Sequence, residues 1–158
     1  MPLPGLRIRD FQPADLLEIM RLFHDTVHEI NSRDYTAEQI DAWAPKIPDE
    51  SSWLAKLRST FAYVAEANGQ IVGFANLERS GRIDCLYTHH MHQGMGIASR
   101  LLSEIETRAR AIGARRLFTE ASLTARPFFQ RRGFRIVREN EVERLGVRLR
   151  NVIMERAL

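Results

Sequence analysis

The chain has 158 residues, 44% of them apolar and 27% charged, with a formal charge of +3 and a pI near 9.5. That length suits one buried core and leaves little room for a second, so a single domain over residues 1–158 is expected. One cysteine, Cys85, excludes an intramolecular disulfide and a zinc site built from several thiolates, and fits a reducing, cytoplasmic location. No apolar run of about 18 residues occurs, and residues 1–10 lack the basic-then-apolar pattern of a secretory signal, so neither a membrane partner nor export is expected.

In chain order, residues 6–9 alternate apolar and basic and read as a first strand. Pro13 opens a helix whose stripe is Leu16, Leu17, Ile19, Met20, Phe23, Val27 and Ile30. A second helix covers about residues 37–43, and Pro45 and Pro48 break it. Trp53, Leu54 and Leu57 predict one or two further helical turns. The period then changes. Residues 61–67 read as a strand, Asn68-Gly69 as a hairpin turn, and residues 71–77 as its return. A polar turn at Arg79-Ser80-Gly81 leads to a strand over 82–88, completing an antiparallel meander.

Ile97, Leu101, Leu102, Ile105, Ala109 and Ile112 mark a long helix, with Gly113 at its C-terminal end. A strand over 117–121, a short helix over about 125–132 with Pro127 in its first turn, and strands near 134–143 and 148–155 complete the chain. The order is β-α-α-β-β-β-α-β-α-β-β, a mixed α/β (α+β) domain on one central sheet.

Arg108, Arg110, Arg115, Arg116, Arg126, Arg131, Arg132 and Arg135 lie close together in sequence. They read as solvated helix faces or as partners of a phosphorylated ligand. Nucleic acid is not expected, because aromatic residues are not interleaved with them. Between the strand ending near Thr88 and the helix from Ile97 lies His89-His90-Met91-His92-Gln93-Gly94-Met95-Gly96. Two glycines before a helix leave its first-turn N–H groups open, at the positive end of the helix dipole. That is a natural pyrophosphate cradle, and it is also a common tight turn. The third glycine of a dinucleotide fingerprint and the Gly-Lys-Ser/Thr of a P-loop are both absent.

Gln93-Gly94-Met95-Gly96-Ile97-Ala98 resembles the Gln/Arg-x-x-Gly-x-Gly/Ala signature of the GNAT superfamily of acyl-CoA-dependent N-acetyltransferases. Ala125-Arg126-Pro127-Phe128-Phe129-Gln130-Arg131-Arg132-Gly133-Phe134 is similar to that family's late helix and following Gly-Phe pair. The resemblance covers nearly the whole chain. It implies a mostly antiparallel seven-stranded sheet flanked by helices, and acetyl-CoA as cosubstrate with no metal. It implies a bulged, splayed strand at Leu86, Tyr87 and Thr88 that meets the pantetheine arm. The loop Gln93, Gly94, Met95, Gly96, Ile97, Ala98 and Ser99 would hold the pyrophosphate. Arg100 and Arg131 would stand near the nucleotide, and Phe128 and Phe129 beside the thioester.

Acetylation of an amine needs a neutral nucleophile, hence a base or a water chain. Asp84 is the first candidate base; alternation puts Asp84, Leu86 and Thr88 on one face and Cys85 and Tyr87 on the other. A carboxylate there is either functional or the partner of an arginine such as Arg82. Glu78 and Glu120 are the other candidates. The family's thiolate-protonating tyrosine falls at Phe129, which has no hydroxyl; Tyr87 is the nearest replacement, with Tyr63 and Tyr35 further off. His89, His90 and His92 read as loop histidines at the cofactor mouth rather than a metal site, and Cys85 as a buried strand thiol. The resemblance places the acceptor among the early helices, with His28, Tyr35 and Trp43 as candidate contacts. Three functions remain open: acetylation of a small-molecule amine, acetylation of a protein or peptide, and non-catalytic acyl-CoA sensing. A homodimer through edge strands is a further possibility.

Overall fold

The computed structural model describes residues 3–158. Seven strands form one sheet in the order β1-β2-β3-β4-β5-β7-β6. They are β1 (Arg7–Asp10), β2 (Phe61–Ala67), β3 (Gln70–Leu77), β4 (Arg82–Thr88), β5 (Arg116–Ser122), β6 (Arg135–Arg144) and β7 (Val147–Ala157). Every neighbouring pair is antiparallel except β4 and β5. The helices are α1 (Leu16–Glu29), α2 (Ala37–Trp43), α3 (Glu50–Ser59), α4 (Ile97–Ala111) and α5 (Arg126–Arg131).

Local chemistry accounts for the element ends. Asn68 (φ 53°) and Gly69 (φ 77°) both take the left-handed conformation that a two-residue hairpin requires. In α2, Thr36 Oγ1 accepts from the Gln39 amide at 3.2 Å while Gln39 Oε1 accepts from the Thr36 amide at 2.9 Å, a reciprocal cap. Asp49 accepts from the Ser52 amide and starts α3. The one or two turns predicted around Trp53 are therefore a full helix of 10 residues. Its apolar stripe is short because only Leu57 is fully buried along it.

The sheet lies between two helical layers. On one face α4 packs Leu101, Ile105 and Ala109 against Leu77, Ile83, Leu117 and Met154, and Phe129 of α5 joins the same cluster. On the other, α1 packs Leu16, Ile19 and Met20 with Leu57 of α3 against Val64, Phe74 and Cys85. A third cluster joins α2, Tyr35 and Val27 to Leu149 of β7. Arg9 ties the first strand to this frame, holding both oxygens of Asp15 at 2.9 Å and reaching Glu66 at 3.0 Å.

One expectation about β4 is overturned. Asn76 pairs with Cys85 but Leu77 pairs with Ile83, so Asp84 is an extra residue in the strand, a β-bulge. Strict alternation fails across it. Ile83 and Leu86 turn toward α4, Cys85 and Tyr87 toward α1, and Asp84 reaches Lys56 of α3 instead of sharing the face of Leu86.

Gly73 lets α4 approach β3. An added Cβ would meet Ile97 Cγ2 at 2.8 Å, Leu101 Cδ1 at 3.0 Å and the Tyr87 carbonyl oxygen at 3.1 Å. Gly73→Ala is expected to lower stability by about 1–3 kcal/mol, measured by urea unfolding, because two core side chains and a strand carbonyl must all move.

Candidate functional site

β4 and β5 pair only at Arg82 with Phe118 and Ile83 with Thr119. Beyond that they part, and Thr119 Oγ1 donates to the Ile83 carbonyl at 2.9 Å in the crotch. The β4 edge that faces β5 is therefore without a ladder partner from Asp84 onward, while its other edge stays bonded to β3 as far as Thr88. The opening is the floor of a cleft of about 1140 Å³.

One end of the cleft is the glycine loop. His90–His92 form a single 3-10 turn, and the chain then passes through Gly94 (φ 75°) and Gly96 (φ 78°) into α4. A Cβ on either glycine would touch nothing within 4 Å, so the space above them is open and their positive φ is what demands glycine. Gly96 offers no capping side chain, and α4 has no acidic residue in its first turn. The amides of Ile97, Ala98 and Ser99 thus have no acceptor among the described residues. These residues fit a pyrophosphate: open backbone donors, a helix dipole and no carboxylate.

Gln93 lines the cleft, and its side chain is engaged by the protein. Its side-chain amide donates to the Thr88 carbonyl at 2.9 Å and the His89 carbonyl at 3.3 Å, pinning the loop to the end of β4. Thr26 of α1 donates to the same Thr88 carbonyl at 3.0 Å. Met95 packs into the α4 cluster. Arg131 and Arg132 both line the cleft, whereas Arg100 does not. Arg132 hydrogen-bonds Ser99 Oγ across the loop. Of the expected pair, Arg100 and Arg131, only Arg131 borders the cleft; Arg100, one turn into α4, is exposed. Phe128 is half-buried on the cleft, while Phe129 is 4% exposed and packs edge-on against Phe134 at 5.1 Å.

The other end lies among α1, α2, α3 and β7. Trp43 and Trp53 line it. Tyr35 also borders it, but its hydroxyl donates to the Arg150 carbonyl at 2.6 Å and accepts from the Leu123 amide at 2.9 Å. Burial raises its pKa, and both contacts are structural. His28 is not brought to the cleft: its Nε2 is bound to the Ala44 carbonyl at 2.9 Å and its ring stacks on His24.

The carboxylates gather around Arg82. Glu78 Oε2 lies 2.9 Å from it, Asp84 Oδ1 3.3 Å and Glu120 Oε2 3.8 Å. Asp84 is further held by Lys56 at 3.5 Å and by Asn76 Nδ2 at 3.3 Å. Asp84 and Glu120 line the cleft, whereas Glu78 lies outside it, bracing Arg82. Tyr87 also lines the cleft, stacked on Phe74 and edge-on to Phe23, and burial pushes its phenol well above the ordinary value. Burial likewise raises the Cys85 thiol to about 12, which leaves it inert. Burial, then His90 and His92, lower the pKa of His89. No group of three potential metal ligands occurs among the described residues.

Sequence reasoning singled out neither Thr26 nor Thr119, and named Arg132 only within the basic cluster. Thr26 was legible as a hydroxyl on the apolar face of α1, beside Val27; the other two depend on which strands and helices meet.

The family profile of the acetyltransferase (GNAT) domain matches residues 31–156. YafP of Escherichia coli K12, described as an N-acetyltransferase, is 35% identical over 151 residues, which cover 95% of each chain. The crystal structure of a GCN5-related N-acetyltransferase from Rhodopseudomonas palustris matches with a TM-score of 0.96 at 32% identity, covering 100% of this chain and 99% of that one. The PaiA N-acetyltransferase of Thermoplasma acidophilum, solved in complex with coenzyme A, matches in fold with a TM-score of 0.80 at 17% identity, covering 97% of this chain and 99% of that one.

Gly96→Glu is expected to abolish acetyl-CoA binding in calorimetry, since it strains a positive-φ position and sets a carboxylate over the open amides. Arg132→Gln should weaken binding by about tenfold or more, the worth of one charge-assisted hydrogen bond. Unchanged affinity in both variants would rule out this end of the cleft as the pyrophosphate site.

Proposed function

The chain belongs to the GNAT family of acetyltransferases, and from that we propose that it acts as one domain, transferring acetyl from acetyl-CoA to the amine of a small molecule. The observation that carries the reading is the single cleft that runs from the open amides of the glycine loop, over the parted β4 and β5, to Trp43, Trp53 and Glu120. Two substrates can meet in it without a covalent enzyme intermediate. The one thiol of the chain supports this, because Cys85 is buried and protonated. A reducing, cytoplasmic compartment suits that thiol.

In the step itself, the amine nitrogen forms a bond to the acetyl carbon and the carbon–sulfur bond breaks. The proton of the amine goes to a base, and the thiolate leaves as coenzyme A. A strand N–H on the unpaired edge of β4 is the natural donor to the acetyl oxygen. Asp84 is poorly placed to accept a proton: Lys56, Arg82 and Asn76 already occupy its oxygens. Glu120 keeps one oxygen free, with a single long contact to Arg82, and lines the same chamber. We therefore assign the base to Glu120, directly or through water, and a positioning role to Asp84. Tyr87 stands in for the hydroxyl that Phe129 lacks. Its raised pKa means that it keeps its proton and steadies the leaving thiolate as a hydrogen-bond donor.

Thiol release from acetyl-CoA across an amine panel tests the reading; no release with any amine, despite tight acetyl-CoA binding, would sink it. Initial rates should give intersecting rather than parallel double-reciprocal lines. Glu120→Gln should lower kcat by about 10²-fold or more with acetyl-CoA affinity kept, and Tyr87→Phe should act in the same direction. Cys85→Ala should keep kcat. An Asp84→Asn loss larger than that of Glu120→Gln would return the base to Asp84.

A further inference from the structure

Of the 23 basic residues in the chain, 21 are arginine. The two lysines, Lys46 after α2 and Lys56 in α3, both line the cleft. An arginine beside Asp84 would make the stronger, forked ion pair, and it would offer no nucleophile, because a guanidinium keeps its charge. Lysine makes the weaker pair there and keeps an amine. In a chain that is otherwise built with arginine, the side chains able to accept an acetyl group are thus confined to the place where acetyl transfer is proposed.

Lys56 stands in the last turn of α3, tied at both ends to the bulge of β4. Its carbonyl accepts from Ser59 Oγ at 3.1 Å and from Thr60 Oγ1 at 2.9 Å. Thr60 Oγ1 in turn accepts from Asn76 Nδ2 at 3.1 Å, and the same Nδ2 donates to Asp84 Oδ2 at 3.3 Å. Lys56 Nζ closes this ring of contacts, 3.5 Å from that Oδ2. Trp53, three residues earlier on the same face of α3, has its ring centroid 5.4 Å from Nζ. Asp84 is the bulged residue from which β4 runs on without β5, so the amine is held at the start of the open strand edge. The Lys56 side chain is 44% exposed, so water also reaches it. Lys46 has no comparable anchor: it is exposed and makes no ion pair among the described residues.

We infer that the chain has a second activity, the acetylation of its own Lys56 within the cleft; this rests on the reading of that cleft as an acetyl-CoA transferase site. The ammonium first gives one proton to water. The neutral nitrogen then bonds to the acetyl carbon, the carbon–sulfur bond breaks, and the second proton leaves with the thiolate as coenzyme A. The product is an amide without charge. It cannot pair with Asp84, whose carboxylate is left to Arg82 and Asn76. The modified side chain remains on the acceptor wall beside Trp53, so the reaction ends at one acetyl group per chain.

The test incubates the full chain with acetyl-CoA and no added amine. Peptide mass spectrometry reads which lysine is modified, and a thiol assay reads coenzyme A release. Lys56 should take up its acetyl group about tenfold or more faster than Lys46, because an amine held in the cleft gains from proximity what an exposed one does not. One thiol should appear per acetyl group, and the rate per molecule should not change with protein concentration, as transfer within one chain requires. Gly96→Glu should slow Lys56 to the rate of Lys46. Lys56→Arg should release no thiol, with acetyl-CoA calorimetry checking that its cleft is intact. Equal labelling of the two lysines, or Lys56 labelling unchanged in Gly96→Glu, would mean reaction with acetyl-CoA in free solution and would overturn the proposal. A rate per molecule that rises with protein concentration would mean transfer between chains and would overturn it too. Thiol release with free amines while Lys56 stays unmodified would sink this inference and leave the transferase reading standing. Lys56 acetylated with no amine of the panel accepted would keep this inference and lose the small-molecule reading.

Discussion

The early end of the β4–β5 ladder is the constraint on which the rest of the site depends. Two parallel pairs hold the strands together, and then they diverge. A continued ladder would pair both edges of β4 along its length and close the floor. Instead the strand keeps β3 on one edge and leaves the other open to the cleft. Three devices maintain the parting. The bulge at Asp84 increases the local twist, Thr119 closes the crotch, and the Thr88 carbonyl is held from outside the sheet by Thr26 and Gln93.

The same bulge explains the division of labour among the polar residues. An inserted residue moves Asp84 out of the alternation and toward Lys56 and Arg82, so the carboxylate becomes part of the frame. Glu120 arrives from the neighbouring strand on the acceptor side, less encumbered. The helical layers make complementary contributions. The α4 and α5 side offers open helix-start amides with Arg131 and Arg132, and the α1, α2 and α3 side offers the aromatic walls of Trp43 and Trp53. One sheet with different chemistry on each side of its gap is a sound way to bring an acyl donor and an amine together without mixing their sites.

Phe129 illustrates how packing and chemistry compete at one position. The ring is buried against Phe134 and Phe128 and completes the core between α5 and the sheet. A phenylalanine gains that burial without a hydroxyl to satisfy. Phe129 therefore brings no hydroxyl to the cleft, whereas Tyr87 lines it as a phenol whose proton burial secures.

Much of this protein was legible in the sequence because it is local. The Asn68-Gly69 turn, the Thr36 cap, the stripe of α4 and the open glycines before it depend on residues a few positions apart, and the boundaries of α2, β2 and β4 follow from them. The Gln93–Ala98 motif likewise indicated an anion site, because free amides at a helix start are a property of the backbone. Tertiary structure decided the rest. A bulge is a mismatch between two strands, so no reading of β4 alone could place Asp84. His28 and Tyr35 are as polar as any ligand in the sequence, and only folding brought the Ala44, Arg150 and Leu123 backbone groups that engage them. Arg100 and Arg132 are both basic residues near the loop, and only folding brought Arg132, from the end of α5, against Ser99 at the start of α4. The sequence determined what kind of group each element offers; contacts between elements distant in the chain decided which of those groups remain free to bind.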